Sequence, residues 1–143
     1  MSDPVCVSIV LSDMVICEQG SRKNSLIGCF NNFNCIRFPF PSPPFFVTAA
    51  LTNLDPKVTE LNLCVRIEDP TLGHVLTSVA GTIKFGEPSN ITKDSVFEVP
   101  FPIAPFIVQK AGPLKIVVLV NTEIAGTRHL MIHATTAPTT HIE

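Results

Sequence analysis

A stretch of ten residues, Arg37–Phe46, limits the fold more than any other part of the sequence, because it contains four prolines and four phenylalanines. Proline fixes its own φ, lacks a backbone N–H and pushes the preceding residue toward extended geometry. The stretch therefore cannot be a helix or the middle of a sheet. We predict that residues 38–46 form an extended crossover between two sheets, with the phenylalanines buried. Because Pro41-Ser42-Pro43-Pro44 also matches P-x-x-P, a docking motif for aromatic grooves is the alternative.

Alternation of apolar and polar residues predicts β-strands through most of the chain. From Leu61 to Ile67 every second residue is apolar, and the residues between them are mostly polar. This period of two is typical of a half-buried antiparallel strand. The turn residues of Asp69–Gly73 then lead into the second strand of a hairpin. The same reasoning predicts strands at Val5–Ser12, Met14–Cys17, Ser25–Phe30, Phe33–Phe38, Phe45–Leu51, Val58–Asp69, His74–Phe85, Phe97–Ile103, Leu114–Val120 and Arg128–Ala134.

These strands predict an all-β protein, and no segment shows the pattern of an amphipathic helix. We expect an antiparallel two-sheet β-sandwich of about eight or nine strands, immunoglobulin-like or C2-like. Residues 1–134 would form a single domain, followed by a Thr- and Pro-rich tail at 135–143. Pro100 and Pro102 lie at alternate positions of Phe97–Ile103, so that strand is expected at a sheet edge. The segment Asn121–Gly126 is expected to be a turn.

An excess of apolar residues predicts an interaction surface. Hydrophobic residues make up 45% of the chain and charged residues only 15%, against about 25% charged in average soluble domains. Leu114–Val120 is apolar on both faces, whereas a strand of a two-sheet sandwich normally exposes one face to water. An oligomer interface or a packed loop would cover that face. The candidate interaction residues are Val117, Leu119, Phe97, Phe101 and Cys64.

Charge, cysteines and the N-terminus bear on partners and location. The net charge is −2 with no basic block, which argues against nucleic-acid or membrane-surface binding. The longest uncharged run, Phe38–Leu54, is broken by prolines, and Met1–Pro4 lacks the basic region of a signal peptide. Five cysteines without a C-x-x-C pair favour free thiols and a cytoplasmic location. Cys64, on the polar face of its strand, is the thiol expected to react.

The sequence contains no convincing catalytic or metal-binding pattern. On a strand, His129 and His133 would be roughly 13 Å apart, too far to share one zinc ion. No G-x-S-x-G elbow and no Gly-rich phosphate loop occurs. Aspartates at expected strand ends could bind calcium, but two of the four form Asp-Pro turns and no D-x-D pair is present. We therefore predict no catalytic residue, no metal and no cofactor. The four aspartates are Asp13, Asp55, Asp69 and Asp94.

Several short segments form a pattern shared with a known family. They are Val10-Leu11-Ser12-Asp13, Glu18, Lys23 to Phe30, Phe38-Pro39 with Pro43-Pro44, and Glu68-Asp69-Pro70 with Gly73. Through them about half of the chain resembles an uncharacterised bacterial family of small cytosolic β proteins of unknown function. The resemblance implies a β-sandwich fold and a cytosolic location, and it transfers no functional residue.

The function that these patterns favour is a non-enzymatic interaction or scaffold module that acts through its β-sheet surfaces and self-associates. A sandwich that binds a small ligand or a peptide is the alternative. In that case an extended peptide would add to the proline-bearing edge near Phe97–Ile103. An enzyme is the third and least favoured hypothesis.

Overall fold

The computed structural model describes residues 4–85 and 92–135, and all regular structure in these ranges is β-strand. The all-β prediction is therefore confirmed. Two of the eleven described strands, β4 and β9, are only two residues long and were not predicted. The strands are β1 (Val5–Cys17), β2 (Asn24–Phe30), β3 (Asn32–Cys35), β4 (Phe40–Pro41), β5 (Phe45–Thr52), β6 (Glu60–Asp69), β7 (His74–Lys84), β8 (Phe97–Ile103), β9 (Ile107–Val108), β10 (Gly112–Val120) and β11 (Glu123–Ala134).

The strands form a four-stranded sheet in the order β2-β1-β5-β8 and a five-stranded sheet in the order β3-β11-β10-β6-β7. The short strands β4 and β9 pair with each other. Among the described pairs, only β3 and β11 are parallel, so the purely antiparallel prediction is wrong at this edge. The reason is that β3 follows β2 of the four-stranded sheet and leads into β4 of the two-stranded sheet. Its direction is therefore not fixed by a hairpin connection to β11.

The first strand is longer than predicted. A break at Asp13 was expected, but β1 continues from Val5 to Cys17. The β1 residues from Val5 to Ser12 pair with β5, and those from Leu11 to Cys17 pair with β2. The carboxylate of Asp13 lies over Gly28 of β2, where an added Cβ would collide with it. Gly28 has a φ of +70°, a conformation that favours glycine, so Asp13 fits within the ladder instead of ending it.

Both large sheets contribute to one buried cluster. Leu11, Val47 and Ile103 belong to the four-stranded sheet, and Val65 and Ile116 to the five-stranded sheet. Alternate residues of each strand face this cluster because side chains on a strand point to opposite sides in turn. The other residues form the two outer faces of the molecule, where the candidate surfaces lie.

The Pro–Phe segment leads from β3 of the five-stranded sheet, through β4, to β5 of the four-stranded sheet. Phe45 is 2% exposed and lies in the core, whereas Phe40 is half-buried. The buried Ser42 anchors the crossing: its N–H donates to the carbonyl of Phe106 at 2.8 Å, and its Oγ accepts from the Phe106 N–H at 2.9 Å. The prolines of P-x-x-P remain exposed at positions 41, 43 and 44.

Two further sequence predictions have clear outcomes. The proline-bearing strand β8 lies at the edge of its sheet, as expected. The turn predicted at Asn121–Gly126 is wrong, because β11 begins at Glu123 and only Asn121 and Thr122 adopt positive φ. Such a two-residue turn is typical of tight hairpins. The predicted tail from residue 136 onward lies outside the described residues.

Candidate interaction surfaces

The outer face of the four-stranded sheet is almost uncharged, and we call it the neutral face. Its residues alternate with core residues such as Leu11 and Val47, and the strand registers place them in one continuous surface. Among the described residues of this face, only Glu98, opposite Ala50 near the start of β8, carries a charge. The neutral face consists of Ser25, Ile27 and Cys29 of β2, Ser8, Val10, Ser12, Met14 and Ile16 of β1, Phe46, Thr48 and Ala50 of β5, and Glu98, Pro100 and Pro102 of β8.

Exposed apolar side chains dominate one half of the neutral face. Met14 and Ile27 lie opposite each other in the β1–β2 pair. Met14 is 51% exposed, Ile27 is 46% exposed and Ile16 is 48% exposed. Single exposed apolar residues are ordinary on protein surfaces, but a contiguous group of them marks a site of interaction.

Small polar residues in the other half of the face are closed off from solvent. Thr48 is 2% exposed, and its Oγ1 makes no hydrogen bond within the described part of the chain. Ser12 is also buried, and its Oγ donates to the carbonyl of Met14 at 3.2 Å. A buried hydroxyl without a partner is unfavourable. Thr48 Oγ1 is therefore a covered and unsatisfied hydroxyl at the centre of the neutral face.

The outer face of the five-stranded sheet has a different character. It carries charged residues next to the predicted interaction residues: Val117 lies between Thr127 and Arg66, and Leu119 lies between Ile124 and Cys64. Val117 is 1% exposed and Leu119 is 8% exposed, although neither belongs to the core cluster. Most of their surface is already covered within one chain, so a partner on this face would contact the surrounding side chains more than these two.

Of the other three candidate residues, the structure places Cys64 opposite Leu119 but leaves Phe97 and Phe101 elsewhere. Phe101 of β8 is buried in the core. Phe97 is partly buried and packs against Phe85, with ring centroids 5.3 Å apart. Cys64 faces outward from β6 and is half-buried. The neutral face itself was missed, because its members are spread over four strands and only the registers show that they are neighbours.

The five cysteines are free and differ in exposure. Cys17 and Cys29 are exposed, whereas Cys64, the thiol that the sequence expected to react, is half-buried. Burial raises the pKa of the Cys35 thiol. Burial also raises the pKa of Cys6, partly offset by backbone hydrogen bonds. Because the thiolate is the reactive form, both effects slow alkylation.

We therefore expect maleimide to modify Cys17 first in the native protein, and Cys35 only after unfolding. Peptide mass spectrometry at successive reaction times measures the order. Cys17→Ser should remove the fast-reacting thiol without affecting the others. Modification of Cys35 as fast as Cys17 under native conditions would contradict the arrangement of β3.

A cleft of about 600 Å³ lies at one end of the five-stranded sheet, between the β6–β7 turn and the segment that joins β8 to β10. Leu72, Val75 and Ile107 contribute exposed apolar side chains to its lining. Lys110 contributes a cation. Asp69 is buried there, and its Oδ1 accepts backbone N–H groups of the turn at 2.9 and 3.4 Å. The lining therefore combines one buried carboxylate with the exposed ammonium of Lys110.

The acidic and histidine candidates do not form a metal site within the described ranges, where no group of three or more His, Cys, Asp or Glu side chains is arranged to hold an ion. Asp55 and Asp69 accept hydrogen bonds from nearby backbone N–H groups, the turn role that their sequence predicts. His129 and His133 are exposed on β11. The described residues also contain no helix that is long and apolar enough to cross a membrane.

Comparison with known proteins assigns the sequence to a family. A family model described as a family of unknown function (DUF6941) matches residues 7–140. The chain belongs to this family. The match spans all described strands except the first two residues of β1, and the unknown function agrees with the resemblance drawn from the sequence.

A comparison with curated proteins finds no match. Membership in the DUF6941 family therefore transfers no activity, and its bacterial and cytosolic character stays a prediction. For this member of the family, the neutral face and the cleft are the features from which a function can be argued.

Proposed function

We propose that this chain is a β-sandwich that acts as a non-enzymatic protein-interaction module and self-associates through the neutral face. The observation that carries the proposal is the neutral face itself. It combines exposed Met14, Ile16 and Ile27 with a surface among whose described residues only Glu98 is charged. A contiguous apolar face of low charge is suited to burial against another protein surface.

The absence of charge favours a second copy as the partner. Two copies related by a two-fold axis present the same patch to each other. On a charged face this arrangement would bring like charges together. On the neutral face only Glu98 is charged, and it lies at the edge strand β8. Two copies can therefore meet over the centre of the face without repulsion.

The size of the face also fits a dimer. Four strands at a spacing of about 4.8 Å, each about eight residues long at roughly 3.3 Å per residue, cover on the order of 500 Å² in projection. Side-chain relief increases the accessible area, which brings it near the roughly 800 Å² that each partner contributes to a standard interface. The area is thus of the right order for a specific dimer.

We expect Ile27→Lys to dissociate the dimer, because it places a charge in the apolar half of the neutral face. Ile124→Lys is the matched control, since Ile124 is exposed on the outer face of the five-stranded sheet, opposite Leu119. Ile27 is 46% exposed and Ile124 is 61% exposed, so both variants should fold. Light scattering coupled to size exclusion measures the mass against the 15.5 kDa of one chain.

Three results would argue against this proposal. The first is a wild-type protein that stays monomeric at high micromolar concentration. The second is dissociation by Ile124→Lys but not by Ile27→Lys, which would move the interface to the five-stranded sheet and support the predicted residues Val117 and Leu119. The third is equal dissociation by both variants together with a fall in thermal stability, which would indicate loss of folding.

The free cysteines support a reducing location, and we propose that the chain is cytoplasmic. Cys17 and Cys29 are exposed thiols, which persist unmodified most readily in a reducing compartment. A second candidate function, binding of a peptide, is supported by the cleft beside β7.

A further inference from the structure

The strand β7 is the longest edge among the two larger sheets in the described residues. The edges of these sheets are β2, β8, β3 and β7. The seven-residue β2 is kinked at Gly28, and β3 has only four residues. In contrast, β7 has eleven residues and contains no proline. Long unprotected edges are templates for pairing with another strand.

The hydrogen bonds of the neighbouring strands show which groups of β7 point outward. The Phe85 N–H donates to the Thr59 carbonyl at 2.8 Å, so this pair is bonded. The backbone groups of Asn62 bond instead to Asn121, on the side of β10, so Thr82 opposite Asn62 is not bonded to β6. Because bonded and non-bonded pairs alternate, the N–H and C=O groups of Ser78, Ala80 and Thr82 point away from the sheet.

These outward groups are accessible. Ser78, Ala80 and Thr82 are all exposed. Their backbone groups make no hydrogen bond to another described element. The edge therefore offers donors and acceptors in the spacing that an added strand requires.

The other long edge, β8, is closed to such pairing. Pro100 and Pro102 lie opposite Thr48 and Phe46 of β5. A proline is accepted in a paired strand where its nitrogen faces away from the partner, so both ring nitrogens face the open side of β8. The open side of β8 therefore lacks two successive backbone N–H donors. Their absence disfavours the peptide site that the sequence predicted near Phe97–Ile103.

The cleft lies at the N-terminal end of the β7 edge. Val75 and Leu76 belong to β7 and line the cleft. The register of β7 with β6 shifts by one residue at Leu76, so the regular outward pattern ends near Ser78. From Ser78 to Val75 is about 10 Å along a strand, so a peptide paired with Ser78, Ala80 and Thr82 can reach the cleft beyond this bulge. Leu72 and Ile107 offer apolar walls, and Lys110 offers a cation, while the carboxylate of Asp69 is buried and already accepts backbone N–H groups.

We propose that β7 and the cleft form a binding site for an extended peptide, distinct from the neutral face. The peptide adds to β7 as a sixth strand of the five-stranded sheet. Its backbone pairs with Ser78, Ala80 and Thr82. At the cleft end it places an apolar side chain between Val75 and Ile107 and a carboxylate near Lys110. This combination of backbone pairing and a side-chain pocket is a known mode of peptide recognition.

The test uses the full chain and a fluorescein-labelled peptide of eight residues, Ser-Thr-Val-Thr-Val-Thr-Asp-Leu, in fluorescence anisotropy. Ala80→Pro removes an outward N–H without touching the bonds to β6, and we expect it to weaken binding about tenfold. Ala80→Thr is the matched control because it keeps the N–H, and its affinity should stay within about twofold of wild type. Replacing the final Asp-Leu of the peptide by Lys-Ser should abolish binding.

If Ala80→Pro does not fold, two other variants test the site. They are Lys110→Glu and Val75→Asp, both at exposed positions. Each should weaken the peptide several-fold with an unchanged melting temperature. The same titration on Ile27→Lys separates this site from the neutral face, because that variant should bind the peptide normally whether or not the chain is a dimer.

Several outcomes would overturn the proposal. The first is that the wild-type chain does not bind the peptide at millimolar concentration. The second is that Ala80→Pro folds and binds the peptide as tightly as Ala80→Thr. The third is that Lys110→Glu and Val75→Asp each bind the peptide as tightly as the wild type. Dissociation of a wild-type dimer by Ala80→Pro alone would show instead that β7 pairs with its counterpart in a second copy.

Discussion

Phe45→Ala is expected to lower the free energy of unfolding by about 3–5 kcal/mol, the range measured for buried phenylalanine truncations. Phe45 is 2% exposed, and its ring lies 5.4 Å from those of Phe30 and Phe33 and 6.3 Å from that of Phe106. These rings come from β2, β3 and the segment before β9. Truncation therefore leaves a cavity where three separate parts of the chain meet.

The adjacent Phe46 supplies the matched control. It points to the opposite side of β5, onto the neutral face between Ser12 and Pro102, and it is only half-buried. Phe46→Ala should cost about 1–2 kcal/mol and should weaken self-association. Urea denaturation of both variants measures the difference. Equal costs at the two positions would contradict the assignment of Phe45 to the core and Phe46 to the surface.

Arg128→Met is expected to cost about 2–3 kcal/mol, although arginine is rarely a core residue. Arg128 lies opposite Ile116 on the inner side of its sheet. Its guanidinium donates to the carbonyl of Ile9 at 2.7 Å and to Oδ1 of Asn31 at 2.8 Å. It thus links the five-stranded sheet to β1, and charge-assisted hydrogen bonds of this kind are stronger than neutral ones. Methionine keeps most of the packing volume and removes both bonds.

Arg66→Met is the comparison for Arg128→Met. Arg66 faces outward, where its Nε lies 3.5 Å from Oε1 of Glu68 and the two side chains are 35% and 25% exposed. Partly exposed ion pairs contribute about 0–1 kcal/mol, so this variant should lose less than 1 kcal/mol. Thermal or urea denaturation of the two variants decides the matter. A loss at Arg66 equal to that at Arg128 would show that Arg128 does not hold the two sheets together.

The period-two pattern was a reliable guide to local structure. It predicted β6, β7 and β8 to within two residues at either end, because each alternates between a core side and an outer side. It failed where the local signal and the tertiary setting disagree. Aspartate is typical of strand ends. Asp13 nevertheless lies within β1, because Gly28 opposite it has no side chain that would collide with the carboxylate. The strands β4 and β9 pair with each other although they are far apart in the sequence, and two residues are too few to show an alternating pattern.

The interaction surfaces were harder to predict than the fold. The two-sided apolar character of β10 pointed to Val117 and Leu119, but flanking strands already cover both side chains. The neutral face looks unremarkable in the sequence, since Ser12, Thr48 and Pro100 are far apart along the chain. Only the pairing of β1 with β5 and of β5 with β8 places them side by side.

The sequence alone determines that this chain is built from strands, that residues 38–46 cannot be helical, and that β8 must lie at an edge, since each follows from local backbone chemistry. The tertiary structure alone decides which strands are neighbours, which face of each strand is covered, and that β7 keeps an open edge beside the cleft. The physical reason is that a strand's own residues specify its two sides, whereas its neighbours are specified by the packing of the whole chain.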